Sequence, residues 1–261
     1  MNAFRIVRIP ILPLQMVNAH LLIGPNGCIL VDAGIPGSEK KIELALAQER
    51  LTFTDIKLIV ITHAHIDHAG SAAIVRERSG APIVAHEGDA KHFTQEEAMT
   101  FCPTGWVARL YIKTPVMFRP YRAFAPDILL RGQETIDLSR FGIEGQVKPT
   151  PGHTAGSVSI ELDRREALVG DLVASGILLG GIVRTGRAAR PPFEDDPHAV
   201  ARELDRLLAS GVETFHIGHG GPLKAAEVER HVRSLLLLPP ALEHKRCCGG
   251  SHSETLVHSA K

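Results

Sequence analysis

Residues 57–62, "KLIVIT", form an almost unbroken apolar run rich in β-branched side chains, and the run empties directly into "THAHIDHAG" at 62–70. A run of that kind marks a strand buried on both faces. A doubly buried strand needs packed layers above and below it, which points to a layered α/β architecture. At its end the chain passes at once from core to four titratable side chains: His63, His65, Asp67 and His68. Such crowding suits neither a packed core nor a solvated face.

The rest of the chain supplies the layers. Strands are expected over 3–9 and 19–31, the second broken by a Pro25-Asn26-Gly27 turn. The spacing over 38–50 predicts a helix with Ser38 at its N-cap, and 69–80 a short helix closed by Gly80. Further strands are expected at 82–86, 134–138, 145–149, 157–162, 167–170 and 213–217, and further helices at 197–209 and 225–237. Residues 88–126 are irregular and hold most of the aromatic side chains. Hairpin-like strands mixed with strand–helix units imply mixed sheets sandwiched between helices. We therefore expect one domain over 1–240, with an inserted lid-like segment at about 88–126, and a mobile, polar tail over 241–261.

Composition narrows the function classes. Lys+Arg and Asp+Glu both number 29, and this balance disfavours a nucleic-acid binder, which would carry a basic excess. The start of the chain is interrupted by Arg5, Arg8, Pro10 and Pro13, unlike a signal peptide, and no run reaches the roughly 18 apolar residues of a membrane span. Cys28, Cys102, Cys247 and Cys248 form no C-x-x-C pair, as expected in a reducing compartment. The expectation is a cytoplasmic protein with a small-molecule substrate and neither nucleic acid nor membrane as partner.

Other strand exits repeat the pattern of the first. His153 follows a strand in "VKPTPGHTAGS", Asp171 ends "ALVGD", and His219 follows another strand in "TFHIGHGGP". One histidine at a strand end is ordinary packing; five histidines and two carboxylates in equivalent places are not. Imidazole and carboxylate donors suit zinc, and also iron, manganese or nickel. Structural zinc sites are usually closed and rich in cysteine, and none of these donors is a cysteine. Seven donors exceed one catalytic site and are about right for two, since one carboxylate can bridge neighbouring cations.

"HAHIDH" resembles the H-x-H-x-D-H motif of the metallo-β-lactamase-fold hydrolases. His153, Asp171 and His219 match that family's later ligands in order and local context, and "NAHLLIGPNGCILVDAG" resembles its opening hairpin, so the likeness covers about 5–222. The resemblance implies an αββα sandwich of two mixed β-sheets flanked by helices, with the site at one edge of the sheets. It implies one metal on His63, His65 and His153, a second on Asp67, His68 and His219, and Asp171 bridging them. Two divalent ions are implied, zinc first, with iron or manganese as options. The implied activity is hydrolysis by a metal-bound hydroxide. Asp67 is also assigned a catalytic role, orienting the hydroxide and passing its proton to the leaving group.

The bridging Asp171 is similar to the glyoxalase II-type thioesterases and lactonases, and argues against β-lactams. His65, where flavodiiron proteins carry Glu, argues against that branch. No large helical glutathione-binding domain of the glyoxalase II kind is expected, which argues against a glutathione thioester. The expected substrate is a small ester, thioester or lactone. The alternatives are a mononuclear-iron persulfide dioxygenase-like oxidoreductase and a nuclease or phosphodiesterase of the same fold. Asp32 is expected to support the ligands through hydrogen bonds or to cap its turn. His20 and His86 are read as core or surface histidines rather than cleft residues, and His92, His198, His216 and His231 as structural.

Two stretches without acidic residues, 98–126 and 172–192, are candidates for the cleft walls. Trp106 and Tyr111 would hold an apolar group of the substrate, and Arg184 a carboxylate. The alternative for 88–126 is a small core of its own or a homodimer contact, and for 172–192 a solvated loop.

Overall fold

A computed structural model describes residues 4–114, 119–177 and 183–239. Its first sheet runs β1 (Arg5–Pro10), β2 (Asn18–Gly24), β3 (Gly27–Val31), β4 (Ile56–Val60), β5 (Ile83–His86) and β6 (Ile128–Leu130), in that order. β1 to β3 are antiparallel, whereas β3 to β6 are parallel neighbours. Parallel strands need crossovers, and these carry α1 (Glu39–Gln48), the single turn α2 (Ile66–Ala69), α3 (Ala72–Ser79), α4 (Ala90–Phe93) and α5 (Trp106–Tyr111).

The second sheet comprises β7 (Ile136–Asp137), β8 (Gly145–Pro149), β9 (Val158–Leu162) and β10 (Glu166–Leu168). After the small hairpin β11 (Ala174–Ser175) and β12 (Ala188–Ala189), the chain forms α6 (Pro197–Ala209), β13 (Thr214–His216), β14 (Leu223–Lys224) and α7 (Ala225–Leu235). The sheet order is β14-β13-β10-β9-β8-β7, and only β10 and β13 run parallel.

Three apolar layers separate four layers of structure. Leu58 and Val60 of β4 face Val147, Ile160 and Leu168 between the two sheets. Their neighbours Ile59 and Ile61 point the other way and pack with Ile42 and Leu46 of α1 and Val75 of α3. On the far side, Val200, Leu204 and Leu207 of α6 and Val228 and Leu235 of α7 cover the second sheet. This is the αββα sandwich. Burial of β4 on both faces explains why its sequence shows no polar alternation.

Several local expectations are corrected. Ser38 precedes α1, but it has helical dihedrals (φ −73°, ψ −13°) and its hydroxyl caps nothing. Its amide instead donates to Ser71 Oγ at 2.9 Å, tying α1 to the start of α3. Asp67 and His68 lie within the one-turn α2, and α3 begins only at Ala72. The expected strand 134–138 shrinks to Ile136–Asp137, and β6, β11, β12 and β14 were not foreseen. At two or three residues each, these four strands are too short to show a period. Gly80 closes α3 in the left-handed region at φ +70°. The tail 241–261 lies outside the described residues. Among the described residues, no helix is long and apolar enough to cross a membrane.

Candidate metal centre

The cluster forms where strands of both sheets end. β4 delivers His63 and His65, α2 delivers Asp67 and His68, the turn after β8 delivers His153, the turn after β10 delivers Asp171, and the turn after β13 delivers His219. All but Asp67 are buried; Asp67 is half-buried. Three sets have ligand atoms within 4.8 Å of one another: His63/His65/His153, His63/His68/Asp171 and Asp67/His68/His219.

The first set is tight. His63 Nε2 lies 3.0 Å from His65 Nδ1 and 3.2 Å from His153 Nε2, and His153 Nε2 lies 3.1 Å from His65 Nδ1. The tautomer of His63 follows from its other side. Thr62 Oγ1 gives its own proton to Asp32 Oδ2 at 2.9 Å and accepts one from His63 Nδ1 at 3.0 Å. His63 Nε2 therefore presents a lone pair to the other two rings. Burial and the neighbouring imidazoles hold His63 and His153 well below the ordinary histidine range. Neutral rings with nitrogens converging at this spacing repel unless a cation lies among them. Ligands about 2.0–2.1 Å from a tetrahedral zinc would be roughly 3.3 Å apart, so the triangle fits such an ion.

The second set centres on Asp171. Its Oδ2 is 2.8 Å from His219 Nε2 and 3.8 Å from His153 Nε2, and its Oδ1 is 3.4 Å from His68 Nε2. One carboxylate thus reaches both triads. Burial opposes its charge, but His219 and His68 outweigh burial and hold Asp171 well below the usual carboxylate range. Burial likewise opposes charge on His219 and His68; Asp171 reverses this, raising His219 to about 9 and, with Asp32, carrying His68 well above its ordinary value. Asp67 Oδ2 stands 3.5 Å from His219 Nε2 and 3.9 Å from His68 Nε2. His68 Nε2 and Asp171 Oδ1 are buried with no hydrogen-bond partner. Such orphans are costly, and a divalent ion would satisfy both.

Groups outside the cluster aim its rings. Asp32 Oδ2 accepts from His68 Nδ1 at 2.8 Å, and its Oδ1 accepts from the Thr62 amide at 2.8 Å. The Met16 carbonyl accepts from His219 Nδ1. Sequence reasoning missed Asp89. Its Oδ2 accepts from the Ala64 amide at 2.9 Å and from Thr154 Oγ1 at 2.9 Å, and its Oδ1 from the Gly156 amide at 2.9 Å. One buried carboxylate thereby ties the His63–His65 loop to the His153 loop. Asp89 also follows a strand, β5, within three residues, so the strand-exit rule that picked the seven donors could have found it.

A cavity of about 340 Å³ opens over the cluster, lined by His65, Asp67, His153, Asp171, His219 and Tyr111, with Leu12, Val17, Ile35 and Phe193 among its apolar walls. Trp106 is 75 % exposed and lines a neighbouring cavity rather than this one. Arg184 is exposed and lines neither. Segment 88–126 divides its aromatic residues. Phe93 and Phe124 join the main core, with Tyr121 packed against it. Phe101 forms a small core with Phe193, with Tyr111 against it. His86 is satisfied by Gly132 O and the Gly88 amide, and His216 pairs with Glu166 at 2.6 Å. His20, His92, His198 and His231 stand outside the three donor sets.

The sequence from 12 to 219 matches a family model described as the metallo-beta-lactamase superfamily. "Probable metallo-hydrolase YqgX" of Bacillus subtilis (strain 168) is 32% identical over 182 residues, spanning 68% of this chain and 74% of that protein. A "Hydroxyacylglutathione hydrolase" of Anaeromyxobacter dehalogenans (strain 2CP-C) is 29% identical over 152 residues, 58% of this chain and 44% of that one. Among solved structures, the metallo-beta-lactamase family protein TTHA1429 from Thermus thermophilus superposes with a TM-score of 0.64 at 24% identity, covering 93% of this chain and 79% of its own.

Proposed function

Since the chain belongs to the metallo-beta-lactamase superfamily, we propose that it is a hydrolase carrying two divalent metal ions and cleaving a small ester, thioester or lactone. His63, His65 and His153 would hold one ion, Asp67, His68 and His219 the other, and Asp171 would touch both. The observation that carries the dinuclear reading is the reach of the Asp171 carboxylate, 2.8 Å to His219 Nε2, 3.4 Å to His68 Nε2 and 3.8 Å to His153 Nε2. Zinc suits a donor set of five imidazoles and two carboxylates, and iron or manganese would be accepted by the same atoms. When bound, such a pair brings the pKa of a coordinated water towards about 7 and polarises the oxygen of the scissile group.

The protein's own groups supply orientation and proton handling. Asp32 and the Met16 carbonyl fix the tautomers of His68 and His219, leaving each Nε2 free to act as a ligand. Asp67 is the most exposed of the seven and lines the cavity. It is therefore the carboxylate placed to receive a proton from the attacking water and to return it to the leaving group. Burial, with the Asp67 charge nearby, raises the Tyr111 phenol, which stays protonated and can donate to a substrate oxygen. The apolar walls exclude water and favour an uncharged acyl group.

Metal-loaded protein should hydrolyse members of a panel of lactones, thioesters and aryl esters, leaving β-lactams and phosphodiesters largely untouched. Asp67→Asn, with its metals still bound, should lose at least about a hundredfold in kcat, the scale of general acid–base catalysis. Full turnover by that variant would remove the proton-transfer role. Preferential cleavage of phosphodiesters would replace the acyl-hydrolase reading.

A further inference from the structure

Beside the metal cleft lies a second and larger cavity, about 550 Å³. The two share Tyr111 and Pro192 in their walls, so they lie side by side with these two residues between them. The second lobe touches the metal cluster elsewhere too. Met16 lines it, and the Met16 carbonyl is the acceptor for His219 Nδ1. Ala174 and Gly176 line it, and the Ser175 amide between them donates to the His219 carbonyl at 3.0 Å.

Apart from Met16, its described lining residues belong to the two stretches without acidic residues, and its surface is mostly apolar: Met16, Trp106, Val107, Ala174, Ile177 and Pro192. Two of the polar side chains there are engaged with the protein itself. Thr104 Oγ1 donates to the Pro191 carbonyl at 2.6 Å, and Arg190 pairs with the buried Glu194 at 2.7 Å. Trp106, Val107 and Ile177 are 75 %, 49 % and 50 % exposed. A lobe of this size, largely apolar and adjoining the reaction centre, favours an aliphatic chain over a polar ligand.

We propose that this lobe seats the aliphatic arm of the substrate, so that the enzyme acts on medium- to long-chain acyl esters, thioesters or acyl-substituted lactones in preference to short ones. The proposal rests on the hydrolase reading of the adjoining cleft. The arm leaves the scissile carbonyl over Asp171 and His219, passes between Tyr111 and Pro192, and covers the Trp106 face. Each methylene buried there should strengthen binding by about three- to fourfold.

Trp106 is the single tryptophan of the chain, so its fluorescence reports on this lobe without any need for turnover. Metal-loaded protein is titrated with butanoate, octanoate and decanoate, each below its micellar concentration. Decanoate should shift Trp106 emission to the blue and saturate, and butanoate should not. In parallel, kcat/KM is measured for butanoyl, octanoyl and decanoyl aryl esters and should rise with chain length. Val107→Asp and Ile177→Asp, both at half-exposed positions on which the core does not depend, should each lower the decanoyl-to-butanoyl ratio of kcat/KM by about tenfold or more. Hydrolysis without chain-length preference and with silent fluorescence overturns the acyl lobe and leaves the hydrolase reading standing. Saturable decanoate binding with none of the esters, thioesters or lactones of the panel cleaved supports the apolar seat and overturns the hydrolase reading. If Val107→Asp turns a dimer into a monomer while decanoate binding is unchanged, the face is an interface between copies and the acyl lobe is wrong.

Discussion

The Asp32 carboxylate lies 2.8 Å from His68 Nδ1 and turns the opposite nitrogen of that ring towards Asp171. Asp32 adopts φ +61°, a left-handed conformation that places its side chain beneath both Thr62 and His68. Replacing it with alanine frees the His68 ring to rotate or change tautomer. Asp32→Ala should weaken the ion at Asp67/His68/His219 by about 10- to 100-fold and the ion at His63/His65/His153 by less, because Asp32 bonds the His68 ring directly but reaches His63 only through Thr62. Competition with a chelator, followed ion by ion, checks this; equal loss of both ions would contradict it.

Asp89 is the pin between loops from the two sheets. Asp89→Ala leaves the buried Ala64 and Gly156 amides without an acceptor, and each such loss costs about 1–3 kcal/mol. We expect a stability loss of about 2–5 kcal/mol in denaturant unfolding, with weakened metal at His63/His65/His153. Unchanged stability would mean that water replaces the carboxylate at no cost.

Gly218 needs no positive φ, yet a Cβ there would stand 2.2 Å from Asp171 Oδ1 and 2.6 Å from His68 Cε1. Gly218→Ala should therefore fold with a circular dichroism spectrum like that of the parent and bind metal poorly, because Asp171 and His68 must move apart. Normal metal content in this variant would show that the cluster has slack that this packing denies.

His231 on α7 is buried, and burial followed by the charges of Arg230 and Arg190 lowers its pKa to about 4. The unfolded chain, with an ordinary histidine near 6.5, then binds more protons than the folded one, so stability rises with pH in between. Its contribution should be complete above pH 6.5, begin to fall below it, and be fully lost near pH 4, a change of about 3 kcal/mol. The melting temperature of His231→Leu should fall less steeply over that window than that of the parent. Parallel curves would contradict the shift.

Much of the molecule could be read from local pattern. β4 stood out because both its faces are buried, and α6 because Pro197 opens an amphipathic run. Its cap was hidden in plain view: Asp196 accepts from the amides of His198 and Ala199. The donors of the cluster were visible because each follows a strand, the place where a layered fold must expose side chains. β6, β11, β12 and β14 were not visible, because two or three residues carry no period and their pairing depends on partners far along the chain. Nor did composition tell Phe124, in the main core, from Trp106, at the surface, although both lie in the same aromatic, basic segment. Arg184 looked like a carboxylate partner by its neighbours alone, and only the folded chain shows that it lines neither cavity. Asp89 stands at a strand exit like the donors, but its role, three hydrogen bonds to residues 25 to 67 positions away, is one that only the folded chain shows.

Anomalous diffraction from crystals of the metal-loaded protein tests the central claim most directly. The account predicts two peaks, one bounded by His63, His65 and His153 and the other by Asp67, His68 and His219, with the Asp171 carboxylate between them. A single peak that leaves Asp171 on one ion only, or a metal bound away from these seven side chains, would contradict it.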